Sequence, residues 1–184
     1  MSIAPQRLLT AEEFAALPLG EMRSELIEGV LHTMPPTFED HSEFTARLTI
    51  ILGHFVLTHD LGTMYAAETG FLIARNPDTV RAPDIAFTRK ERVSSDSPAP
   101  RWVPVIPDLV VEVASSGDRP GELRQKAAMW LEAGVRLVWV ALPAQQVIEV
   151  YRAGQPVTML DAGATLDGSD VVPGFSTPVA AIFP

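Results

Sequence analysis

One strand-like run narrows what this chain can fold into: Pro107-Asp-Leu-Val-Val-Glu-Val-Ala114 is apolar enough to be buried, yet it carries Glu112 at its centre. An ionised carboxylate rarely occupies such a place without a partner. Earlier in the chain Ala82-Pro-Asp-Ile-Ala-Phe87 repeats the situation, with Asp84 at the head of a second apolar segment. A bound cation is the simplest partner for the pair. Oxygen ligands of this kind suit a hard divalent ion such as magnesium, which takes one or two protein carboxylates and fills its other positions with water and phosphate.

Side chains alternate along a strand, so Val110, Glu112 and Ala114 share one face while Leu109, Val111 and Val113 share the other. The small Ala114 leaves room beside Glu112 for a group arriving from elsewhere. Lys126 is the candidate: Pro near the start and Gly134 at the end mark a helix over 120–133, and Lys126 lies on the flank of its Leu123, Ala127 and Trp130 stripe.

The remaining pattern is that of an α/β (α+β) domain with a mixed sheet flanked by helices. Thr10 and Glu13 form a capping box that opens a short helix. The segment from Ser24 to His32 reads as a hairpin turning near Glu28-Gly29, and Pro35-Pro36 ends it. Phe44, Leu48, Ile51, Leu52, Phe55 and Val56 recur at three- and four-residue spacing, which predicts a long amphipathic helix over about 39–59. Strands are expected at 63–67, 70–74, 84–88, 109–114, 137–141 and 147–151, with a Pro- and Ser-rich surface loop at 94–104. After Arg152 the tail reads as irregular or weakly stranded. At 184 residues the chain is expected to be one domain, the helix and hairpin at about 8–36 packing on its core.

Composition removes several chemistries. The chain has no cysteine, which excludes disulfides, thiolate zinc sites and cysteine nucleophiles. No apolar stretch approaches the ~18–20 residues of a membrane span, and no secretory leader is evident, so a cytoplasmic location without membrane attachment is expected. The net charge of −9 argues against a broad electropositive surface. Yet nine basic and eight acidic residues lie between Arg75 and Lys126, so the candidate site is the least acidic part of the chain.

The residues Glu25-Leu-Ile-Glu-Gly29, His41, Ala82-Pro-Asp-Ile85, Pro107 to Val113, Gln125-Lys126, Gly134-Val135 and Val138-Trp139-Val140 resemble the Uma-two restriction endonuclease family, within the PD-(D/E)XK nuclease superfamily. The resemblance spans about residues 20–152. It implies a restriction-endonuclease-like fold and a catalytic core of Asp84, Glu112 and Lys126, the lysine having moved from the strand position held by Ala114 onto the following helix. It also implies that Glu25 faces the same site. On this reading Asp84, Glu112 and the backbone carbonyl of Val113 hold Mg2+ or Mn2+, and Lys126 orients a water for phosphodiester hydrolysis. The family pattern has an aromatic residue before the first glutamate, where this chain has Ser24.

Plainer readings stand beside these. Asp84 is also placed to serve a turn, Glu112 to pair with an arginine, Lys126 to pair with Glu122, Glu25 to sit exposed on the hairpin, and His41 to belong to a helix start. Trp130, Trp139 and Phe55 read as core or interface aromatics. The expected activity is a magnesium-dependent endonuclease acting on DNA, weakly bound, by a homodimer whose interface comes from the N-terminal helix, the hairpin or the strands at 137–151. The competing expectation is a non-cleaving interaction or regulatory protein on the same fold.

Overall fold

The computed structural model describes residues 7–19, 22–34, 39–93, 102–103, 105–115 and 117–183. Its elements run α1 (Ala11–Ala16), β1 (Arg23–Ile27), β2 (Val30–Met34), α2 (Glu39–Thr58), β3 (Gly62–Ala66), β4 (Phe71–Ala74), β5 (Thr79–Arg81), β6 (Ile85–Arg89), β7 (Leu109–Val113), α3 (Pro120–Glu132), β8 (Leu137–Leu142), β9 (Val147–Tyr151), β10 (Thr158–Leu160), β11 (Thr165–Asp167) and β12 (Ser176–Pro178).

Six strands form the main sheet in the order β10-β9-β8-β7-β6-β3. Only β7 and β8 run parallel, joined through α3, and the other pairs are antiparallel. The α/β expectation with a mixed sheet is met. Alternation along β7 sorts its two faces. Leu109, Val111 and Val113 pack with Phe44, Leu48, Leu52 and Val56 of α2. Val110 packs with Leu123, Ala127 and Trp130 of α3. Glu112 therefore points to the α3 side, as the strand period requires.

A second sheet, β2-β1-β5-β4, lies at the N-terminal end of the fold. Its hairpin turns through Glu28 and Gly29, both at positive φ (49° and 78°), the backbone that a two-residue turn matched to strand twist demands. Leu26 and Val80 from this sheet bury against Ala11 and Phe14 of α1. The capping box is present: Glu13 N–H donates to Thr10 Oγ1 at 3.1 Å, and Thr10 N–H to Glu13 Oε2 at 3.0 Å.

Several expectations are revised. β5 is new, a three-residue strand between Pro77 and Pro83 that is too short to show a period of its own. Most of the 94–104 loop, like Pro35-Pro36, lies outside the described residues. At its end, Trp102 stacks on Phe14 with ring centroids 5.0 Å apart and donates its indole N–H to Ala11 O at 3.0 Å.

The tail after Arg152 is a structural layer, since Leu166, Val171, Val172, Phe175, Val179 and Ile182 are buried with the α2 face of the sheet. Its pattern was hidden because the pieces are short and separated by turns. The strands at 137–151 are interior to the sheet and buried, so they are not a surface for a partner. Trp130 and Trp139 are fully buried core residues.

Candidate active site

The site forms where β6 and β7 part. Their ladder runs from Phe87↔Leu109 to Ile85↔Val111 and stops there, leaving Asp84 one residue before β6 and facing the unpaired end of β7. Asp84 Oδ2 takes over the ladder's work by accepting the Val113 N–H at 2.9 Å. The N–H and C=O of one strand residue point to the same side, so the Val113 carbonyl faces this side too.

Asp84 is 4% exposed. His41 Nε2, from the start of α2, stands 3.1 Å from Oδ2, and Arg23 Nη2, from β1, stands 3.4 Å from Oδ1. Burial works to raise the Asp84 pKa, but the hydrogen bond and charge of His41, the Val113 N–H and the Arg23 charge outweigh it and hold the carboxyl below its ordinary value.

Glu112 has the opposite balance. Burial pushes its carboxyl up, the Lys126 charge opposes this, and the nearby Asp84 adds repulsion that leaves the net shift upward. Trp130 donates its indole N–H to Oε1 at 2.7 Å, and Lys126 Nζ lies 3.5 Å from Oε2. Lys126 and Trp130 are four residues apart on α3, one turn, so a single helix face supplies both partners. Proximity to Glu112 raises the lysine pKa and keeps it an ammonium.

Glu25 is buried, not exposed on the hairpin. Its Oε1 accepts the Ala82 N–H at 3.0 Å and lies 3.2 Å from Arg81 Nε. It thereby ties β1 to the segment that carries Asp84, and its charge acts on both Glu112 and Lys126.

The four predicted side chains thus form one electrostatic neighbourhood. Lys126 turns to Glu112, while the Glu122 carboxylate turns back to the Arg119 N–H at 3.4 Å. Glu112 pairs with a tryptophan and a lysine, not an arginine. The sequence assigns no role to Arg23, leaves His41 undecided and marks Trp130 as a core or interface aromatic, not as a partner of Glu112. The Trp130 contact was readable in principle from its one-turn spacing to Lys126; Arg23 had no such signal.

Among the described residues no three His, Cys, Asp or Glu side chains gather closely enough to hold an ion alone. Two carboxylates and a backbone carbonyl, all hard oxygens, nevertheless match what magnesium takes from a protein, the rest of its shell being water and substrate.

The chain matches the family Uma2, described as "Putative restriction endonuclease", over residues 11–180. It belongs to the Uma2 family. All four of Glu25, Asp84, Glu112 and Lys126 fall within the Uma2 span. The fold is also similar to a solved structure described as a putative nuclease belonging to DUF820 from Anabaena variabilis ATCC 29413, with a TM-score of 0.82 and 21% identity over 95% of this chain and 97% of that one. No curated protein matches the chain. Among the described residues no helix is long and apolar enough to cross a membrane.

Proposed function

We propose that this Uma2 chain is a metal-dependent endonuclease that hydrolyses phosphodiester bonds in DNA. The observation that carries the reading is the meeting of Asp84, Glu112 and Lys126 at the end of β7, two buried carboxylates and an ammonium from separate elements. Asp84, Glu112 and the Val113 carbonyl would hold Mg2+ or Mn2+. When bound, the ion supplies Lewis-acid activation of the phosphate and of a water.

The chain's own groups do the rest. Lys126 keeps its proton beside Glu112 and serves to orient the attacking water and offset charge developing on the phosphate. His41 and the Val113 N–H fix Asp84 Oδ2 and keep that carboxylate ionised. Trp130 fixes the Glu112 rotamer, and Glu25 steadies Ala82, two residues from Asp84. No covalent intermediate is needed.

The same reading takes the protein as a cytoplasmic homodimer with weak, salt-sensitive DNA binding, because a chain of net charge −9 offers few phosphate contacts and a two-fold pair sets two sites against antiparallel strands. That acidity is also the one observation favouring the second reading, a non-cleaving interaction or regulatory protein. Plasmid nicking separates them. The nuclease converts supercoiled DNA in Mg2+ or Mn2+, stops in EDTA and loses the activity on Asp84→Asn; a chain that leaves the plasmid intact under all conditions supports the second reading.

A further inference from the structure

Two open grooves, of about 350 and 470 Å³, adjoin at Arg23 and Glu68, and Asp84 lines the larger of them. One runs past Phe14, Leu19 and Ala82, the other past His41, Thr45 and Asp84 along α2. Arg23 and Glu68 line both, and Arg23 is the only lysine or arginine lining either of them among the described residues. Its side chain is 18% exposed and rests against Asp84 Oδ1 at 3.4 Å, a loose contact for a charged pair.

We propose that Arg23 is a phosphate clamp, binding the DNA backbone where the two grooves meet. The proposal rests on the nuclease reading above and goes beyond it in naming a substrate-binding residue. The argument begins with Asp84. Its Oδ2 is engaged by His41 and the Val113 N–H, which leaves Oδ1 as the oxygen free to take a cation, and Arg23 is the cation now beside it. A divalent ion on Oδ1 would put two cations on one oxygen unless an anion lay between them. The anion a nuclease brings to that spot is a phosphate, whose geometry a guanidinium matches with two parallel N–H bonds. A DNA strand in either groove meets no other fixed cation among the lysines and arginines described.

The test uses the full chain with Ca2+, which supports binding without requiring turnover, and reads fluorescence anisotropy of a duplex oligonucleotide across a salt series beside a calorimetric Ca2+ titration. Arg23→Ala should weaken duplex binding by about tenfold and reduce the slope of log affinity against log salt by about 0.9, one phosphate contact. Its Ca2+ affinity should be unchanged or higher, because a competing charge has left Oδ1. Arg23→Lys should restore the slope but only part of the affinity. Arg23→Gln, closer in volume, replaces the alanine variant if that one melts early.

Unchanged duplex affinity and slope in the neutral variants would overturn the clamp and leave Arg23 as a counter-charge for Asp84, with Ca2+ binding intact. A wild type that binds no Ca2+ overturns the metal-site reading, and the clamp with it. The two failures are therefore distinguishable.

Discussion

Glu112 and Trp130 are joined by a 2.7 Å hydrogen bond from the indole N–H to Oε1, between a strand buried on both faces and the helix that covers it. The bond joins a core aromatic to a carboxyl that burial pushes above its ordinary pKa. Trp130→Phe keeps most of the packing and removes the donor, leaving Glu112 Oε1 without the indole N–H it accepts. The expected cost is about 1–3 kcal/mol in denaturant unfolding, with the Glu112 pKa rising further. A variant as stable as the wild type would show that the contact contributes nothing net.

Glu112→Gln should do the reverse for stability. A glutamine Oε1 can still accept from Trp130, while the buried negative charge disappears and Lys126, about a third exposed, turns to solvent. In metal-free buffer at neutral pH the variant is expected to melt at the wild-type temperature or above it, by up to about 1–2 kcal/mol, and to have lost metal-dependent cleavage. A strongly destabilised variant would mean that the Glu112–Lys126 pair is a net stabilising contact.

The two carboxylates imply opposite pH dependences. Glu112 titrates above its ordinary 4.5 in the folded chain, so the native state holds a proton that the unfolded state has released; stability falls as pH rises from there through the raised value and stays lower above it. Asp84 titrates below its ordinary 3.8, so its contribution is present above 3.8 and is lost as pH falls through the depressed value. Subtracting the melting profile of Glu112→Gln from that of the wild type should isolate the first effect, a decline that begins on the alkaline side of 4.5. A flat difference curve would remove it. Metal affinity should fall as acid protonates Glu112, since protons and cation compete for the same oxygens.

Glu25 and Arg81 make a buried pair whose members cannot be lost singly without cost. Arg81→Ala leaves the Glu25 charge uncompensated and is expected to destabilise by about 3–5 kcal/mol. Glu25→Gln keeps an acceptor for the Ala82 N–H, so a metal affinity within a few-fold of the wild type is expected if Glu25 positions the Asp84 segment. Loss of metal binding in Glu25→Gln would instead make Glu25 a ligand.

Much of this is legible in the sequence, for reasons that differ by element. The 20-residue α2 carries its apolar period long enough to be unmistakable, and the Thr10/Glu13 box fixes the start of α1 by local hydrogen bonds alone. Asp84 and Glu112 stood out because charge in an apolar strand is energetically conspicuous. The gap at Ala114 and the family resemblance both point to Lys126. Arg23 was not readable, because its meaning arises only when the hairpin sheet meets the end of β7, a contact 61 residues away in sequence. The tail's strands of three residues each carry too little period to declare themselves, and their burial depends on a core supplied by α2 and the main sheet.

The central claim is that Asp84 and Glu112 together hold a divalent cation beside Lys126. Calorimetric titration of the metal-free protein with Mg2+, run in parallel on the wild type, Asp84→Asn and Glu112→Gln, tests it most directly. The account predicts one site per chain in the wild type, with affinity at least about tenfold weaker in each variant. Absence of Mg2+ binding in the wild type, or equal binding by all three proteins, would contradict it.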